Sequence, residues 1–183
     1  TAEDLARSMG LKGTSLTSVS GDLMGTKGQA FAMPGENRFF YSRDDWTPGV
    51  MAHEMGHLAS NKTGYGKGTM FLKQQGGALG ALALGIMAAK SKGLSRKLFG
   101  ASALASAVAP SAGEYLQEVD AWDHADKALD DLQENSWFYD EAAREAARVT
   151  REKALDTYST RGIEDIIGGG IFAGLGAGIG KIH

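Results

Sequence analysis

The chain has 183 residues, 43% of them hydrophobic, and a formal net charge of −3. This is enough to build a buried core, and the mild acidity gives no electrostatic footprint for nucleic acid, so no nucleic-acid partner is expected. Cysteine is absent, which excludes disulfide and thiolate chemistry without choosing a compartment. No N-terminal signal peptide is visible and the chain opens on Thr1, which suits a processed product or a piece of a longer chain.

Residues 2–9 predict a short helix stopped by Gly10. Residues 11–35 are rich in Gly, Ser and Thr and predict turns, with strands around 15–20 and 28–33. Arg38-Phe39-Phe40-Tyr41-Ser42 is short and aromatic and reads as a strand. After the polar stretch 44–46, Thr47 is a good N-cap and Pro48 suits the first helical position. Val50, Met51, Met55, Leu58 and Ala59 then recur with a helical rhythm, which Asn61, Gly64 and Gly66 end.

That helix carries His53-Glu54-Met55-Gly56-His57. Residues four apart share one face of a helix, so the two imidazoles can meet one metal ion. Glu54 is turned just off that face, where it can take a proton from an activated water. The same residue types on a solvated face would hold nothing. Here two of the four histidines fall at ligand spacing with the acid in place, which favours zinc.

Glycine makes up 26 of the 183 residues and gathers in two apolar stretches. Residues 76–109 predict an inserted helical hairpin of small residues around a basic turn from Lys90 to Lys97. Each arm has about 12 to 14 apolar residues, whereas a spanning helix needs about 20. The hairpin is therefore either packed within a soluble body or a reduced or interfacial membrane element. The second stretch, 161–183, holds Gly170, Gly174 and Gly178 at four-residue spacing, with Gly176 and Gly180 as a second ladder. This glycine-zipper pattern suits helix packing against lipid or an oligomeric partner.

Pro110 marks a boundary, and Ser111-Ala112-Gly113-Glu114 after it reads as a capping box opening a long helix through Glu118, Ala121, Ala125 and Leu129. A catalytic zinc needs a third protein ligand and an open position. With only His124 and His183 left as imidazoles, a carboxylate is expected, Glu114 or Glu118. Glu114 has work in the capping box, which leaves Glu118 the freer. Tyr115, His124, Tyr139 and Arg144 are candidates by type for stabilising a transition state. His124, nearly two turns after Glu118, is taken as the catalytic candidate. Residues 140–158 predict a charged helix with Glu141–Arg144, Glu145–Arg148 and Arg148–Glu152 pairs.

Gln29-Ala30-Phe31-Ala32-Met33-Pro34-Gly35 followed by Arg38-Phe39-Phe40-Tyr41 resembles the signature that precedes the metal helix in gluzincins. The likeness is to those related to the heat-shock membrane protease and the CAAX prenyl protease. Glu118-Val119-Asp120-Ala121, with Ala125 after it, resembles their third-ligand motif. The likeness covers residues from about 28 to 130 and rests on motifs in the family's order. It implies zinc held by His53, His57 and Glu118, with Glu54 as general base, and strand 38–42 as the edge on which a peptide substrate adds. Two positions depart from the pattern: Gln29 stands where Asn is common, and Trp122 where an Asp is common. That Asp would support a ligand histidine, which leaves Asp120 or Asp123 as substitutes. Related bacterial membrane zinc peptidases, with Glu-x-Asp-Ala, resemble the local pattern better.

The expected fold is therefore α+β and mostly α. It is a zincin-like helical domain (1–160) with a small edge sheet, the inserted hairpin (76–109) and a glycine-zipper-like C-terminal segment (161–183). The expected activity is zinc-dependent endopeptidase hydrolysis of a peptide or protein substrate. The rival is a membrane-inserting or virion assembly protein whose peptidase site is auxiliary. Either way the chain is expected at a membrane, with its cytoplasmic face one option, or in a larger assembly such as a virion. A structural zinc in a binding module is the other rival, and an open coordination position would count against it.

Overall fold

The structure, a computed structural model, describes residues 1–20, 30–43, 47–75, 77–133 and 141–182. Gln29, residues 44–46, Gly76, Tyr139 and His183 lie outside the described residues. The fold is α+β and mostly helical, with one three-stranded mixed sheet. The chain forms two compact units, residues 1–67 with 117–155 and residues 68–116 with 156–183.

In the first unit, Thr1 opens helix α1 (Ala2–Ser8), its hydroxyl accepting from the Asp4 N–H at 3.3 Å. Gly10, at φ +67°, turns the chain out of the helix. Three strands follow: β1 (Ser15–Val19), β2 (Ala30–Met33) and β3 (Arg38–Ser42). Their order is β1-β3-β2, with β3 parallel to β1 and antiparallel to β2. The strand at 38–42 is thus central, which corrects the expectation that it is the edge; the edges are β1 and β2.

Asn37 supplies the physical reason. It sits in the left-handed region at φ 52°, which Asn tolerates better than most residues. Its side-chain oxygen accepts from the Thr14 hydroxyl at 2.9 Å and its amide donates to the Gly13 carbonyl at 3.1 Å. Its own carbonyl accepts from the Ser15 N–H at 3.1 Å. These bonds bind the start of β1 to the start of β3, so Ser15 pairs with Arg38 on the side away from β2.

Alternate strand residues point to the helices. Leu16, Ala30, Ala32, Phe39 and Tyr41 join one core cluster. The cluster is completed by helix α2 (Pro48–Lys62) and by parts of two long helices, α5 (Gly93–Gln133) and α6 (Glu141–Ile182). Helix α2 begins as its sequence requires: the Thr47 hydroxyl accepts from the Val50 N–H at 3.4 Å and Pro48 occupies the first turn. Met51, Ala52, Met55, Leu58 and Ala59 are its buried apolar stripe. From α5 come Ala121, Trp122, Ala125, Ala128 and Leu129, all buried at helical spacing.

Two glycines permit close helix approach. A Cβ on Gly49 would lie 2.8 Å from the Ala147 side chain on α6. A Cβ on Gly56 would lie 2.1 Å from the Ala121 backbone oxygen on α5. At such a separation only hydrogen fits.

The second unit holds most of α3 (Gly64–Gln75), all of α4 (Ala78–Lys90), residues 93–116 of α5 and residues 156–182 of α6. Pro110 does not mark a helix boundary as its sequence suggests, because α5 runs through it. A proline lacks the N–H that would bond the carbonyl four residues back. That carbonyl belongs to Ser106, and it accepts from the Gly77 N–H at the head of α4 at 2.7 Å. The orphan acceptor is thus satisfied by a neighbouring helix, and the kink penalty is reduced. Ser111 to Glu114 consequently lie inside the helix and form no capping box. The break between α4 and α5 is only residues 91–92, so the C-terminal part of the expected basic turn is already helical. Among the described residues, no helix is long and apolar enough to cross a membrane.

Replacing Gly56 with Ala raises intrinsic helix propensity by about 1 kcal/mol. The contact with Ala121 predicts the opposite outcome, a loss of about 3 kcal/mol from forced separation of the helices. Thermal unfolding of Gly56→Ala decides, with Gly35→Ala as a control, where a Cβ meets nothing within 4 Å. A Gly56→Ala protein as stable as the parent would contradict the packing described.

Candidate metal centre

His53, Gly56 and His57 share one face of α2, so the glycine lies between the two imidazoles. Because α5 packs against that glycine at Ala121, the turn of α5 before Ala121 comes against the rings. Glu118 is in that turn. His53 Nε2 lies 3.2 Å from Glu118 Oε2, and His57 Nε2 lies 3.5 Å from Glu118 Oε1. The three donor atoms fall within 4.8 Å of one another. Tetrahedral coordination at ordinary zinc–ligand bond lengths places neighbouring donors about 3.3 Å apart, so the spacing fits a shared ion. The His53–His57–Glu118 group can hold a metal ion.

Glu118 is 8% exposed and stands in the stripe of Ala121, Trp122 and Ala125. A carboxylate in such a stripe needs a counter-charge or strong donors. The two imidazoles meet that need in part, and a metal cation would meet it fully.

Trp122 packs flat against His53, with ring centroids 4.3 Å apart and planes 21° from parallel. The ring is 1% exposed, so the stack is rigidly backed. His53 Nδ1 is buried and has no hydrogen-bond partner among the described residues. A ligand histidine is commonly steadied by a bond at that nitrogen. Here the indole face orients the ring instead. Neither Asp120 nor Asp123 bonds that nitrogen of His53: Asp123 pairs with Arg151 at 2.7 Å, and Asp120 Oδ2 is buried without a bond.

Glu54 is half-buried beside the ligands. Burial pushes its carboxyl above the ordinary value, and the nearby Glu118 carboxylate adds to the rise. The charge of His53 and a hydrogen bond from the Ala32 N–H pull the other way without reversing it. Ala32 is on β2, so it is the edge strand that touches the acid.

Among the described residues, this group does not include His124. His124 is six residues after Glu118, which turns it about 120° around α5. Its Nε2 lies 4.0 Å from Asp120 Oδ2. Arg144 pairs with Asp130 at 2.8 Å. Tyr115 and Glu114 belong to the second unit. The reading from sequence missed Gly56 and the packing role of Trp122. A glycine inside a helix is unfavourable unless something requires it, and that signal was present.

No protein-family model, curated protein or solved structure matches this chain. Geometry must therefore carry the functional reading.

The raised affinity of Glu54 for its proton has a stability consequence in metal-free protein. At low pH the carboxyl is protonated folded and unfolded, and no difference arises. As pH rises past the ordinary carboxylate value, the unfolded chain ionises more readily and stability falls, until pH passes the folded value. Glu54→Gln lacks this loss. Its unfolding temperature relative to the parent should climb as pH rises above the ordinary carboxylate value. A difference independent of pH would contradict the burial of this carboxylate.

Proposed function

We propose that this chain is a zinc-dependent endopeptidase. The observation that carries the reading is the convergence of His53 and His57 on the buried Glu118, with Glu54 one position along the same helix. Two imidazoles and one carboxylate are a ligand set that leaves a tetrahedral zinc one open position, as catalytic sites require. Zinc held there supplies Lewis acidity, polarising a scissile carbonyl and acidifying water.

The protein groups have separable tasks. Trp122 fixes the plane of His53. The Ala32 N–H orients the Glu54 carboxylate. Glu54 takes a proton from the attacking water as the water oxygen bonds to the carbonyl carbon, then gives it to the leaving nitrogen as the C–N bond breaks. A carboxyl whose affinity for protons is raised suits both halves of that cycle. On the far side from β3, β2 has no strand partner among the described residues, and its Ala32 touches Glu54. An extended peptide laid along β2 would bring its backbone to the site.

We infer that the chain works at a membrane or within a larger assembly. One observation favours a second reading, in which assembly is the main role and the peptidase site is auxiliary. Ile163, Ile167, Ile171 and Leu175 are each more than half exposed at four-residue spacing on α6.

The test is hydrolysis of an unstructured protein substrate by the purified full chain, with zinc measured on the same samples. Activity should vanish on chelation and return with zinc. Glu54→Gln should keep its zinc yet lose about 100- to 10,000-fold in turnover. Undiminished hydrolysis by Glu54→Gln would sink the mechanism, and no hydrolysis by zinc-loaded parent protein would favour the assembly reading.

A further inference from the structure

The turn between α4 and α5 is unlike the rest of the surface. Residues 92–98 are exposed without interruption. Lys90, Lys92, Arg96 and Lys97 supply four cations here, and no Asp or Glu occurs between residues 76 and 113. Several arginines elsewhere are paired with acids: Arg7 with Asp4, Arg38 with Glu36, Arg148 with Glu145, Arg151 with Asp123. Among the described residues, none of the four tip cations has an acidic partner. The tip is thus strongly positive on a chain whose net charge is −3.

Large apolar side chains lie among these cations. Leu94 is 71% exposed, Leu98 58%, Leu104 56% and Met87 46%. Their placement on the helices is regular. On α5, Leu94, Leu98, Ala101 and Ala105 follow one another at helical spacing and are exposed, while Ala103 and Ala107 on the opposite face are buried. On α4, Ala83, Met87 and Lys90 form a matching outer face. On α4 the opposite face, with Ala81 and Ala88, is buried, and Gly80 at its flank lies against Ser106 of α5. The hairpin is therefore packed on one side and apolar with a cationic tip on the other.

We propose that this outer face of the α4–α5 hairpin docks on an anionic lipid surface. The four cations would meet acidic headgroups, and Leu94, Leu98 and Met87 would enter the boundary between headgroups and acyl chains. Charge selects an anionic partner. The leucines select lipid over nucleic acid, because a phosphate backbone offers nothing to bury them, and single-strand binding relies on exposed aromatic platforms that this face lacks. The element lies on the surface and does not span: the apolar arm of α4 falls short of the roughly 20 residues a crossing requires. The inference rests on the membrane placement proposed above and is independent of peptidase chemistry.

The test is co-sedimentation of the full chain with vesicles of phosphatidylcholine alone and of phosphatidylcholine mixed with phosphatidylserine. Binding should need phosphatidylserine and weaken with added salt. Lys92→Glu with Lys97→Glu should lower the partition coefficient roughly 25-fold or more, at about fivefold for each cation near an anionic surface. Leu94→Ser with Leu98→Ser should lower it at least about tenfold. Both pairs are exposed, and circular dichroism verifies their folding. Parent protein that ignores phosphatidylserine overturns the proposal. So does vesicle binding unchanged in both variants, which would leave a membrane role to another surface. Binding to a DNA oligonucleotide that is lost in the lysine variant and kept in the leucine variant overturns it in favour of nucleic acid.

Discussion

The contact of Gly56 with the Ala121 backbone is the constraint on which the site depends. A hydrogen atom in place of a methyl lets α5 press against the very face of α2 that carries His53 and His57. Glu118, three residues before Ala121, is thereby brought within 3.5 Å of both rings. A larger residue at position 56 would push α5 away and so disturb both the core and the place of the carboxylate beside the imidazoles. The buried stripe of α5 that anchors the core thus also carries Glu118, the carboxylate of the candidate metal group. The second glycine contact, Gly49 against Ala147, seats α6 on the first turn of α2.

Electrostatics then divide the labour between two carboxylates. Glu118 is buried among alanines and a tryptophan and is committed to the histidines. Glu54, a quarter turn around α2, is less enclosed and takes a hydrogen bond from a strand. Burial raises the proton affinity of Glu54, and the neighbouring Glu118 carboxylate adds a little to the rise. A cation held by His53, His57 and Glu118 would offset the charge of the Glu118 carboxylate. Trp122 stiffens the arrangement without a hydrogen bond.

Much of the first unit was legible in the sequence because local rules dominate there. Thr47 and Pro48 begin α2 as capping chemistry requires, the aromatic run 38–42 forms a strand, and the His-Glu-x-x-His spacing puts both rings on one face. Glu118 was preferred over Glu114, and it is Glu118 that meets the rings. What was not legible involves long-range partners. The central place of β3 depends on Asn37 bonding back to Gly13 and Thr14, which no periodicity reveals. Pro110 reads as a helix stop until Gly77 is seen to take the carbonyl it leaves free. Trp122 looked like the loss of a supporting acid, whereas its ring covers His53.

The metal itself can be located directly. Crystals of the full chain grown with zinc, measured at the zinc absorption edge, give an anomalous map independent of any assay. The expected result is one peak bonded to Nε2 of His53, Nε2 of His57 and the Glu118 carboxylate, with the fourth position free of protein. No peak between these residues, or a peak closed by a fourth protein ligand, would contradict a catalytic zinc site.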